Sequence, residues 1–144
     1  MPPDEEALTQ FLNVDLECRA KSGLSQFLEY VSPSVFVLHE SSELLCLELA
    51  DLVASAEPGS PERYILAFAS IIDSLPPEAK RLWENFDRRT LDIGVQAGAE
   101  PHMKAFSISA KTIAAVAALD AEIVFTVYAT IKSPSVPANV AAGS

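Results

Sequence analysis

The sequence is short of several things, and each shortage excludes a class of protein. Among its 144 residues there are two cysteines, Cys18 and Cys46, too few and too far apart for a disulfide framework or a zinc site. The five glycines are scattered and make no clustered loop that would cradle a phosphate at a helix N-terminus. Ten basic residues stand against twenty acidic ones, a net charge of −10. The longest basic run is Arg88-Arg89, so neither nucleic acid nor an anionic membrane surface is an expected partner. No apolar stretch approaches the ~20 residues that cross a bilayer. The opening Met-Pro-Pro-Asp-Glu-Glu has no positive region followed by an apolar one, so no secretory signal is expected. Reduced thiols and a cytoplasmic location follow as the default.

What is present is ordinary globular material: 49% apolar and 21% charged residues. A chain of this length buries roughly 70% of the surface its unfolded form exposes, enough for one core. A single domain over 1–132 is expected, followed by a Ser-, Pro-, Ala- and Gly-rich tail over 133–144.

Periodicity gives the elements. From Phe11 to Arg19, Leu12, Val14, Leu16 and Cys18 alternate with Asn13, Asp15, Glu17 and Arg19, a half-buried strand with the polar set outward. Ser22 is the expected N-cap of a helix whose apolar stripe is Leu24, Phe27, Leu28 and Val31, and Pro33 stops it. Val35 to Leu38 is apolar on both parities and predicts a central strand with both faces at least partly covered. It joins Leu45-Leu47-Leu49 as an antiparallel hairpin across Glu40-Ser41-Ser42-Glu43. Residues 55–61 form a loop ending in Ser60 as N-cap and Pro61 at the first helical position; Ile65, Phe68, Ala69, Ile72 and Leu75 are the buried stripe of that helix. A shorter helix after Pro77 carries Leu82, Trp83 and Phe86. Thr90 to Ala97 alternates, with Leu91, Ile93 and Val95 inward and Asp92, Gly94 and Gln96 outward. Ser109 caps the last helix, with Ile108 stapled on Ile113 and Ile113, Val116 and Ala117 lining its inner side. Glu122 to Ile131 is the last strand, with Ile123, Phe125 and Val127 inward and Val124, Thr126 and Tyr128 outward.

The order β-α-β-β-α-α-β-α-β, with a βαβ unit at each end, implies parallel strands within each unit if they share a sheet. The expected class is α+β: a two-layer sandwich in which a mixed sheet of about five strands carries its helices mainly on one face. The strand order stays open.

Four segments together, Phe-Leu-Asn-Val-Asp-Leu-Glu (11–17), Val-Phe-Val-Leu-His (35–39), Leu-Asp-Ile-Gly-Val-Gln-Ala-Gly (91–98) and Leu-Asp-Ala-Glu-Ile-Val-Phe-Thr-Val-Tyr (119–128), resemble a family of small bacterial α+β domains of unknown function. The resemblance spans most of the chain except the tail. It implies a bacterial cytoplasmic protein and carries over no functional residue.

Catalytic equipment is sparse. His39 and His102 show no ligand spacing with each other or with either cysteine, so no metal or other cofactor is expected. There is no G-x-S-x-G, and the serines sit where caps and turns explain them. No catalytic residue is assigned. If the first and fourth strands are neighbours, Asp15 and Asp92 lie side by side, and like charges that close raise one pKa; outward acids on a sheet are more often plain solvated residues. The outward face as a whole mixes Phe11, one parity of Val35 to Leu38, Leu44, Val124 and Tyr128 with Asp15, Glu17, Asp92, Gln96 and Thr126. An apolar centre with an acidic rim is the pattern of an interface.

The leading expectation is a non-enzymatic binding module, of the immunity type or another kind, meeting a basic partner through Asp15, Glu17, Asp92, Gln96 and Tyr128. A second is a small-molecule-binding domain or weak hydrolase with a pocket near the 98–104 loop, using Glu100 and His102 with Asp92. A third is a homodimeric structural domain.

Overall fold

The computed structural model describes residues 8–53 and 59–129. The expected tail at 133–144 and most of the loop at 55–61 lie outside them. Among the described residues the chain runs β1 (Gln10–Arg19), α1 (Leu24–Val31), a 3₁₀ turn (Ser32–Ser34), β2 (Val35–Glu40), β3 (Leu44–Leu49), a single turn α2 (Ala50–Val53), α3 (Pro61–Asp73), α4 (Pro77–Glu84), β4 (Arg88–Gln96), α5 (Ala110–Ala118) and β5 (Glu122–Tyr128). The strands form one five-stranded sheet in the order β2-β3-β1-β4-β5. Only β4 and β5 pair in parallel; the other neighbours are antiparallel. This is the expected α+β class with a mixed sheet. Among the described residues no helix is long and apolar enough to cross a membrane.

Period-two alternation sorts the sheet into two faces. Val14, Leu16 and Cys18 of β1, Leu45, Leu47 and Leu49 of β3, and Leu91, Ile93 and Val95 of β4 are all buried. The four longer helices cover this face with Leu24, Phe27 and Val31 of α1, Ile65, Phe68 and Ile72 of α3, Trp83 of α4, and Thr112 and Val116 of α5. Phe27 sits at the centre, with its ring centroid 5.1 Å from Phe86 and 5.8 Å from Trp83, spacings at which aromatic pairs attract beyond their area burial.

Several expectations are corrected. The cap of α1 is Gly23, at φ 93°, and not Ser22; a Cβ there would also stand 3.2 Å from Leu82, and a side chain rarely adopts that left-handed backbone. Strand β2 lies at the sheet edge, with Phe36, Val37 and Leu38 exposed by 49%, 46% and 49%. An apolar run reads alike whether neighbours flank it on one side or two. Phe11 turns inward, edge-to-face on Tyr64, while Leu12 is exposed, because the β1–β4 register shifts between Phe11 and Asn13 and a bulge exchanges the facing of the residues around it. In α5, Ile113 and Ala117 are exposed and Thr112, Val116 and Leu119 are buried. Ser109 does cap this helix through the Thr112 N–H at 3.3 Å, and Glu62 of α3 accepts from the Ser109 N–H; together they turn Thr112 toward α3. In β5, Phe125 and Val127 stay exposed, since among these inward positions only Ile123 packs against the core of an edge strand.

One cation ties the layers together. Arg89 of β4 donates through Nη1 to the carbonyls of Trp83 at 2.8 Å and Phe86 at 2.9 Å, and through Nε to Asp120 O at 2.9 Å. Its guanidinium lies 5.8 Å from the Trp83 ring, whose Nε1 donates to Leu119 O at 3.0 Å. The carbonyls in the last turn of α4 and just past it, and just past α5, carry partial negative charge; the planar fork of Arg89 reaches both helix ends at once. Its ion pair to Asp120 adds little, because that carboxylate is almost fully exposed. Arg89→Ala is expected to lower unfolding stability by about 2–4 kcal/mol in urea denaturation, and Arg89→Lys to recover less than half of it, since an ammonium cannot span both sites. A loss under about 0.5 kcal/mol would mean that water replaces the clamp.

Candidate binding surface

With the helices on one side, the other face of the sheet presents the alternate set of residues. Registers fix their neighbours. Phe36 pairs with Glu48 across β2–β3, Asp15 with Asp92 across β1–β4, and Asp92 with Val124 across β4–β5. Leu16 pairs with Leu47, so one step further along the ladder Glu48 flanks Asp15. The face is thus crossed by a row running Phe36, Glu48, Asp15, Asp92, Val124. A second row runs His39, Cys46, Glu17, Thr90, Glu122. Near the strand ends Gln10, Gln96 and Tyr128 align, and the missing side chain of Gly94 lets Asn13 and the Tyr128 ring close over it, each within 3.6 Å of where a Cβ would stand.

Acids are satisfied unequally along these rows. On the β5 side Asp92 accepts from Thr126 Oγ1 at 2.6 Å, and Glu122 is held by Arg88 and by Thr90 Oγ1; those donors pull the Glu122 carboxyl below its usual range. On the β2 side the one donor to Glu48 among the described residues is the Asn13 amide, at 3.5 Å, and that amide also donates to Asp15 at 3.0 Å. No ion pair among the described residues reaches Asp15, Glu17, Glu48 or Asp92. Partial burial therefore lifts the Asp15 carboxyl to about 6, helped by the charges of Glu48, Asp92 and Glu17, with the Asn13 hydrogen bond opposing. Burial and the neighbouring Glu17 and Asp15 likewise push the Cys46 thiol up to about 11, which favours the protonated thiol. Cys18 points into the core, where burial raises its thiol further.

The structure brings Asp15, Glu17 and Asp92 together on this face, with Gln96 and Tyr128 at one end of it. Phe11 does not belong there. Glu48, the acid nearest the β2 edge, was missed by the sequence analysis; the alternation of Leu45 to Leu49 gave its facing, but only the strand order puts it beside Asp15. Glu100 and His102 are both exposed, and neither lines either of two concavities found elsewhere. One of these, about 230 Å³, lies beside Lys80, Trp83, Arg89 and Asp120, and Arg89 there is already engaged by carbonyls. The other, about 400 Å³, lies beside Gln10, Ser60, Lys104 and Phe106. The 98–104 loop thus borders a concavity at Lys104, away from the two residues expected to form a pocket. Among the described residues no group of three or more His, Cys, Asp or Glu side chains is arranged to hold a metal ion. No family model, curated protein or solved structure matches the chain.

The elevated Asp15 carboxyl gives a signed pH dependence. Its ordinary value of 3.8 rises to about 6 on folding, so the folded protein binds this proton more tightly than the unfolded chain. Asp15 then opposes folding when ionised above pH 6, and the penalty is relieved as pH falls from 6 toward 3.8. Asp15→Asn is expected to raise Tm at pH 7.5 by about 2–4 °C, with the gain fading toward pH 4. Carboxyl NMR should also show the Asp15 midpoint falling in Asp92→Asn. A gain that does not vary with pH would show that the cluster does not strain the fold.

Proposed function

We propose that this protein is a non-enzymatic interaction domain that receives a basic partner protein on its open sheet face, in the manner of an immunity-type domain masking a cationic surface. One observation carries the proposal: Asp15, flanked by Glu48, Asp92 and Glu17, has no ion-pair partner among the described residues, and its carboxyl is raised to about 6. A group so placed gains most from a lysine or arginine supplied from outside, because the counter-charge relieves a repulsion the free protein carries. The net charge of −10 adds long-range attraction for such a partner. Apolar and aromatic side chains at the margins of the rows, Phe36 and Tyr128, offer area for association. Two copies meeting through this same face would set acid rows against each other, which favours a basic partner over self-association. The carboxylate pair lines neither of the two concavities described above.

The test compares two triple variants with equal change in charge. Asp15→Lys, Glu17→Lys and Asp92→Lys together should abolish capture of a single identified basic protein from host extract. Glu29→Lys, Glu78→Lys and Glu84→Lys, at exposed helix positions, should leave it within about threefold, as expected of charges outside a contact. Equal loss in both variants, with circular dichroism unchanged, would mean that only net charge matters and would remove the proposal.

A further inference from the structure

The outer edge of β2 is one of the two edges of the sheet, the other being β5. Among the described residues no strand pairs with the outer side of β2, and an edge without a strand partner presents outward backbone donors and acceptors. Natural edges are blunted by charge, proline or a bulge. Here Val35 to Leu38 carry no charge, and Phe36, Val37 and Leu38 are each close to half exposed. Among the described residues a register shift between Val37 and His39 and the charge of Glu40 at the strand end guard the edge, confining its flat part to the first half. Beyond it Glu40 is met by the Ser25 hydroxyl at 3.5 Å.

The chemistry next to this edge selects the occupant. Phe36 is registered with Glu48, and Glu48 flanks Asp15, so a side chain laid across the Phe36 ring from outside the sheet reaches the uncompensated end of the acid row. A cation does this best, because it stacks on the ring and meets the carboxylate in one placement. The opposite edge differs: on β5 the nearest acids, Asp92 and Glu122, already hold Thr126, Thr90 and Arg88.

We propose that β2 accepts a short extended segment of the basic partner as a sixth strand, with arginine or lysine at alternate positions reaching over Phe36 to Glu48 and aliphatic residues between them covering Val37 and Leu38. Backbone pairing supplies affinity and the alternation supplies selectivity. This rests on the sheet-face proposal and specifies how the partner is gripped.

The probe is a labelled, end-capped nine-residue peptide alternating valine and arginine, with a valine–glutamate peptide as control. Fluorescence anisotropy should show binding of the first alone. Leu38→Lys, which charges the edge, and Glu48→Gln should each weaken it by about tenfold, the worth of one charge-assisted contact. Hydrogen exchange should slow at amides within Val35–Glu40. If the peptide binds with no slowing in β2 and tolerates Leu38→Lys, yet is lost in Asp15→Asn/Asp92→Asn, the edge mode falls and the sheet-face proposal stands. If neither the peptide nor any basic protein is held, both fall. A dimer seen by light scattering at micromolar concentration, and dissociated by Leu38→Lys, would assign the edge to a second copy and overturn the proposal.

Discussion

Burial of one face of β1, β3 and β4 is the constraint from which the other features follow. Successive side chains on a strand point to opposite faces. Once Val14, Leu16 and Cys18 are committed to the helices, Asn13, Asp15 and Glu17 have no freedom to face anywhere but outward. The same parity commits Glu48 through Leu47 and Leu49, and Asp92 through Leu91 and Ile93. A slip of one residue in any ladder would drive these carboxylates into the core. The acid rows are therefore held in place by the hydrophobic effect on the opposite side of the sheet.

The helical layer is fixed by polar contacts at its ends as well as by packing. Arg89 joins β4 to the carbonyls that end α4 and follow α5, Trp83 is fastened to Leu119, and Glu62 of α3 receives the N–H of the residue that caps α5. Each contact satisfies a terminal backbone group or its immediate neighbour, the groups a helix leaves without internal partners. Every longer helix among the described residues packs on the core side of the sheet.

That face carries an internal cost. Carboxylates in register across neighbouring strands repel one another, and Asp15 expresses the repulsion as a raised proton affinity. The graded satisfaction from β5 to β2 matters here. Arg88, Thr90 and Thr126 neutralise or hydrogen-bond the acids on one side, while Glu48 and Asp15 share a single amide on the other. The repulsion is therefore centred on β1 and relieved least on the side of β2.

The sequence by itself determined the elements and the facing of most of their residues. The β1, β3 and β4 alternations, the stripe of α3 and the Ser109 cap are local patterns, and local patterns are set by backbone geometry within a few residues. Even the pairing of Asp15 with Asp92 was legible as a condition on β1 and β4 being neighbours. Only the tertiary structure decided that condition, along with the edge position of β2, the inward turn of Phe11 at its bulge, the rotation of α5 and the exposure of Phe125 and Val127. Each of these depends on which surface lies against an element, and an apolar side chain reads the same in a sequence whether a neighbour covers it or not. Strand order is a competition among long-range pairings of similar local quality; it is settled by the packing of the whole, not by any segment of it.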